Sequence, residues 1–153
     1  LLIRKAELDD CEVFVNLRVR MRKERDQGFD ESKNDFIPNT RRFFTESIKN
    51  GAFVAFFALE DSKAVSMSGI SVYSAPPTQE IPNGKVAYLM SMYTLPEYRK
   101  RGMATQLLGR AVEEAAALGC DKVTLSASAM GKPLYAKYGF MDTENDMAFF
   151  PAR

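Results

Sequence analysis

Apolar and polar positions along this chain fall into a succession of strand-like and helix-like patterns. Leu2 to Glu7 reads as a first strand, and Asp9-Asp10 can cap a helix running to about Arg25. On that helix Val13, Phe14, Leu17 and Met21 recur at helical spacing as the main apolar stripe. From Arg22 to Asn39 the pattern fails among charges, Gly28 and Pro38, which predicts a long loop with room for a short helical turn. Thr40 is placed to cap a second helix to about Asn50, with Gly51 as its stop. The apolar run Ala52 to Leu59 reads as a strand buried on both faces. Phe53 to Leu59 and Ala64 to Tyr73 then predict a hairpin across Asp61-Ser62-Lys63. Pro76, Pro77 and Pro82 make Ser74 to Gly84 a loop.

A strand from Val86 to Thr94 follows. Beyond the Leu95-Pro96-Glu97-Tyr98 turn, Met103, Ala104, Leu107, Leu108, Ala111, Val112, Ala115 and Leu118 line one face of a helix that Gly119 ends. Val123 to Ala127 reads as another strand. Pro133 suits the first turn of a short helix, Gly139 its left-handed end, and Met147 to Phe150 a closing strand. The order β, α, α, β-β-β, α, β, α, β predicts a mixed α/β domain, and 153 residues suit a single domain, 1–153.

Composition narrows the chemistry. Twenty-one basic and 20 acidic residues leave the net charge near zero, so the overall field argues for neither nucleic acid nor membrane as partner. The longest apolar run is far too short to span a bilayer, and no signal-peptide pattern is present, which points to a cytoplasmic protein. Cys11 and Cys120 lack CxxC spacing and read as free thiols. The chain contains no histidine, which removes His-based triads and His-ligated metals, and two distant cysteines make no zinc site. Catalysis would fall to carboxylates, tyrosines, backbone dipoles or water.

The most informative stretch is the 86–94 strand feeding Arg99-Lys100-Arg101-Gly102-Met103-Ala104 at a helix start. First-turn amides are unpaired and lie at the positive end of the helix dipole. Met103, Ala104, Thr105 and Gln106 bring no carboxylate there; the first acid is Glu113. Three cations ahead of an acid-free turn describe an anion site, with the amides of residues 101 to 105 as its cradle. A Rossmann fingerprint is excluded because Gly102 has no GxGxxG companions. A P-loop is excluded because Gly131-Lys132 is followed by Pro133, and Ser126 stands at the upstream glycine position.

Arg99-x-x-Gly102-x-Ala104 after a strand resembles the acetyl-CoA pyrophosphate loop of the GCN5-related N-acetyltransferases, the GNAT family. Downstream, Leu134-Tyr135-Ala136-Lys137-Tyr138-Gly139-Phe140 resembles that family's Leu-Tyr-x-Lys-x-Gly-Phe signature. The resemblance covers nearly the whole chain. It implies a central, mixed, mostly antiparallel sheet flanked by helices, and an acetyl-CoA-dependent N-acetyltransferase that moves the acetyl group directly to a primary amine. It further implies that Arg99, Lys100, Arg101, Gly102, Met103, Ala104 and Thr105 hold the diphosphate, and that the pantetheine arm pairs with Met92, Tyr93 and Thr94. Ser128 stands where relatives often carry Asn, and Gly131 where they often carry Ala. The acceptor is a small-molecule or peptide amine, and the resemblance leaves room for a homodimer.

By the same resemblance Tyr135 is the candidate catalytic residue, a phenol near the CoA sulfur that can protonate the leaving thiolate; Tyr138 is its competitor. A tyrosine near pKa 10 stays protonated until a thiolate of pKa about 8.5 forms. The general base is open among Glu24, Asp26, Asp30, Glu31, Asp35, Glu80 and a water chain. A non-catalytic acyl-CoA sensor and an enzyme acting on protein amines are the alternatives.

Overall fold

The computed structural model describes residues 1–143 and 145–153, and in these the strands form one sheet. In spatial order they are β1 (Leu2–Lys5), β2 (Phe53–Glu60), β3 (Lys63–Ser74), β4 (Lys85–Thr94) and β5 (Lys122–Thr124). β1 to β4 pair antiparallel and β5 joins β4 in parallel, giving the mixed, mostly antiparallel sheet expected. The helices are α1 (Cys11–Arg25), α2 (Phe36–Asn50), α3 (Met103–Ala117) and α4 (Lys132–Tyr138).

β2 shows why the sheet is covered on both sides. Phe53, Phe56 and Phe57 are no more than 1% exposed, and successive side chains of a strand point to opposite faces. The Phe53 ring meets Phe14 of α1 and Phe43 of α2, with centroids 5.4 and 5.0 Å away. Phe56 points the other way, under the Arg110 guanidinium of α3 at 5.0 Å. Each such ring contributes roughly 1.5–3 kcal/mol by leaving water. On β3, Gly69 makes room for Phe53, since a Cβ there would stand 2.5 Å from the ring. The β2–β3 hairpin turns through Asp61 and Ser62 at φ +50° and +65°, the paired left-handed conformation of a type I′ turn.

Several boundaries differ from the sequence expectation. Leu8–Asp10 is a 3₁₀ turn that leads into α1, and Val13 is exposed while Val15 and Val19 are buried. α2 begins at Phe36, not after Thr40; Thr40 lies inside it, donating its hydroxyl to the Phe36 carbonyl at 2.7 Å. Pro38 permits this because it falls in the first turn, where no N–H is needed. The long loop therefore shortens to residues 26–35. β5 holds only three residues, and the strand expected at Met147 to Phe150 does not form: Met147 and Phe149 are exposed there. A short apolar run becomes a strand only where a neighbour supplies pairing groups, and among the described residues none pairs with this segment.

One irregularity sets the geometry of the molecule. Met67 pairs with Tyr93 and Gly69 with Met90, so three residue steps on β4 oppose two on β3. The extra residue is a β-bulge at Ser91, whose φ is +57°. It resets the alternation. Leu89 and Met92 pack with Leu108 and Tyr135, while Met90 and Tyr93 pack with the cluster containing Phe14 and Phe53. β5 follows β4 only as far as Tyr88, so beyond it the two strands part.

Candidate active site

Two cavities approach each other across residues 90–92 of β4. The first, about 410 Å³, lies between the end of β4, the start of α3, residues 128–131 and Tyr135. Every site residue expected from the sequence lines it except Arg101. The Arg101 side chain turns outward: Nη1 is 3.3 Å from the Glu60 carboxylate, Nη2 donates to the Glu97 carbonyl at 3.1 Å, and the guanidinium covers the Tyr98 ring. Its backbone still belongs to the loop.

The loop ends in two left-handed residues, Lys100 at φ +62° and Gly102 at φ +80°. Gly102 is the N-cap of α3, and a Cβ on it would meet nothing within 4 Å. Its glycine is thus required by the backbone angle, and the space beside it is open. The first helical donor with a backbone partner is the Gln106 N–H, to the Gly102 carbonyl at 3.2 Å. The amides of Met103, Ala104 and Thr105 precede it in a turn without acids, so dipole and donors are available to an anion.

Arg99 braces this loop. Its Nη2 sits 2.6 Å from Glu24 Oε1 and its Nε donates to the Thr94 carbonyl at 3.0 Å; the Tyr93 hydroxyl donates to Glu24 Oε2 at 2.8 Å. Burial and then that carboxylate push the Tyr93 phenol up to about 12. Burial works against the Glu24 charge, but the hydrogen bonds from Tyr93 and Arg99 outweigh it and lower its pKa. Glu24 is therefore a strut, poorly suited to take a proton.

Tyr135 is 9% exposed and packs edge-on to Phe140, with centroids 5.9 Å apart. Burial raises its pKa above the ordinary 10. Gly131 lets the ring in, because a Cβ there would come within 3.1 Å of it. The Ser128 Oγ accepts the Gly131 N–H at 3.1 Å, which leaves its own proton to donate. Tyr138 is 44% exposed and lines neither cavity.

The second cavity, about 600 Å³, lies between α1, the 26–35 loop, α2 and Met90. Arg18 Nη1 donates to the Ser91 hydroxyl at 2.8 Å, and Arg25 Nη2 donates to the Met92 carbonyl at 2.6 Å. Of the base candidates, Asp26 and Asp30 line this space. Glu31 is paired with Lys23, and neither Asp35 nor Glu80 lines a cavity. Sequence reasoning passed over Arg18, Arg25 and Ser91. The available signal was the i, i+4, i+7 spacing of Arg18, Arg22 and Arg25, which puts three cations on one stripe of α1.

A model of the acetyltransferase (GNAT) family matches residues 17–140. No curated protein matches the sequence. A predicted acetyltransferase from Clostridium acetobutylicum, solved with acetyl-CoA, is 32% identical, with 97% of this chain and 95% of that one covered and a TM-score of 0.88. A GCN5-related N-acetyltransferase from Ralstonia eutropha is 27% identical over 99% of both chains, with a TM-score of 0.87. An aminoglycoside N-acetyltransferase in complex with CoA shares the fold at 18% identity, with 97% and 98% covered and a TM-score of 0.74.

Proposed function

The chain belongs to the GNAT family of acetyltransferases, and from that premise we propose that it is an acetyl-CoA-dependent N-acetyltransferase acting on a small primary amine. The observation that carries the reading is the approach of two cavities on either side of the β4 bulge, one ending in the acid-free turn of α3 and holding Tyr135, the other lined by α1, α2 and the 26–35 loop. The first suits the cosubstrate. Open amides at residues 103–105 and the bare backbone of Gly102 suit a diphosphate, and β4 beyond Tyr88 has an edge that β5 leaves unpaired, to which an extended amide arm can bond.

The bound thioester supplies an activated acyl carbon. Around it each residue has a local task. The Met92–Tyr93 backbone borders the reacting carbonyl and an amide there stabilises charge on its oxygen. The Arg25 guanidinium holds the Met92 carbonyl and so fixes that backbone. The amine nitrogen, having lost one proton to water or to Asp26, forms the C–N bond as the C–S bond breaks and gives up its second proton to solvent. Tyr135 delivers its phenolic proton to the departing sulfur and recovers one from solvent. Direct transfer in a ternary complex is the reading favoured by two linings that hold neither Cys nor His to carry the acyl group. The 26–35 loop forms one wall of the acceptor cavity, whose volume of about 600 Å³ suits a small molecule.

The test is thiol release from acetyl-CoA across amino acids, polyamines, aminoglycosides and peptides. Acceptor-dependent release with an N-acetylated product is expected. Binding of CoA without turnover for any acceptor would make the chain a sensor instead.

A further inference from the structure

Three cations line the acceptor cavity against two acids, Asp26 and Asp30. Arg18, Arg22 and Lys33 all line it, and among the described residues none lies within 4.0 Å of a carboxylate. Its two acids are occupied in the turns of the loop. Asp26 Oδ1 accepts the Gly28 N–H at 3.0 Å, and Asp30 Oδ1 accepts both the Ser32 N–H at 2.9 Å and the Ser32 hydroxyl at 2.7 Å. Arg18 is the telling residue. It is partly buried, and its bond to the neutral Ser91 hydroxyl uses one of the five N–H donors a guanidinium has. Burial, then the like charges of Arg22 and Arg25, lower its pKa. A cation in that position is costly unless an anion joins it.

We propose that the acceptor amine also carries an oxyanion, a carboxylate or a phosphate, which Arg18 and Arg22 bind. This rests on the transferase reading of the site and names its substrate class. Ser91 immediately precedes Met92, so the anion would lie close to the place where the cavities approach, and the molecule joining it to the amine must be short. Planar guanidinium groups match the oxygens of either anion. Polycationic acceptors are selected against by the same charges.

Matched acceptors test this. Glycine, β-alanine and 4-aminobutyrate present a carboxylate at increasing distance, and O-phosphoethanolamine presents a phosphate. β-Alaninamide and ethanolamine are their uncharged counterparts, and spermidine is the polycation. The anionic member of each pair should show a kcat/KM roughly 10- to 100-fold higher than its uncharged partner, carried mainly by KM. In Arg18→Met and, separately, Arg22→Gln, that ratio should fall toward one while CoA affinity holds, which also shows that each variant folds. Spermidine or the uncharged partners acetylated as well as the anions would overturn the proposal. If no acceptor releases thiol, the transferase reading fails, and calorimetry then decides the anion site on its own terms. N-acetyl-β-alanine should bind the protein, with or without CoA, and its amide should not; equal binding, or binding of neither, refutes the site.

Discussion

Tyr135 and Tyr138 are three residues apart on one short helix, yet only the first lines a cavity. A buried phenol with a raised pKa remains a proton donor across the working range, and a side chain 44% exposed offers nothing to a sulfur in the cavity. Tyr135→Phe should lower kcat by about 10²- to 10⁴-fold, the usual span of general acid catalysis, with CoA affinity nearly unchanged because the ring is kept. Tyr138→Phe should leave kcat near normal. Steady-state kinetics and CoA titration of both variants decide it, and loss of CoA binding in Tyr135→Phe would make the residue a packing element. The same burial fixes the sign of the pH profile. Because the acid is lost only above its raised pKa, kcat/KM should climb with pH as the acceptor amine deprotonates and show no falling limb below about pH 10.

At the next scale, α3 works through its first turn. Gly102→Glu would put a side chain and a like charge into the open space beside the amides, at a left-handed position that costs an ordinary residue about 1–2 kcal/mol. The fold should survive and CoA affinity should collapse; calorimetry on the folded variant checks both. β1 and α1 are joined by a different device. Arg4 grips Asp10 through both oxygens at 2.7 and 2.8 Å, and the Glu7 N–H donates to the same carboxylate. The Arg4 hydrogen bond is the main reason the Asp10 pKa is lowered, against a burial that would raise it. Its stability contribution is therefore full above the unfolded carboxylate's value and disappears as pH falls through the folded one. Asp10→Asn should cost about 1–2 kcal/mol at pH 7, Arg4 being partly exposed, and the gap should narrow as pH falls below the usual carboxylate range in denaturant titrations. Elements with long apolar periodicity, such as β2, β3 and α3, were legible in the sequence almost to the residue. The start of α2 was not, because Thr40 looks like a cap and only tertiary packing buries it. That residues within 92–105 would line one cavity was legible because their motif is contiguous. The second cavity was not, since Arg18 and Ser91 are 73 residues apart and a bulge leaves no mark in composition.

At the scale of the molecule, the parting of β4 from β5 leaves a cleft whose walls belong to elements distant in the chain. A ligand filling it joins those elements, so binding energy becomes folding energy. CoA at 100 times its dissociation constant should stabilise the protein by about 2.7 kcal/mol. For a chain of this size that corresponds to a rise of roughly 5–10 °C in Tm, measurable by calorimetry, whereas an unchanged Tm would mean that CoA does not bind the native state. The bulge at Ser91 has a consequence of another kind. It is an odd count in a strand that otherwise reads by twos, much as a single inserted letter shifts a reading frame. Substituting residues around it changes one wall at a time. Deleting one residue there would exchange the inward and outward assignments of every side chain from Met92 onward, carrying Tyr93 away from Glu24 and Met92 away from Tyr135 together. The partition of the space beside β4 into two cavities is thus held by the length of one strand, and mutational tolerance should be generous for exchanges there and nearly absent for indels.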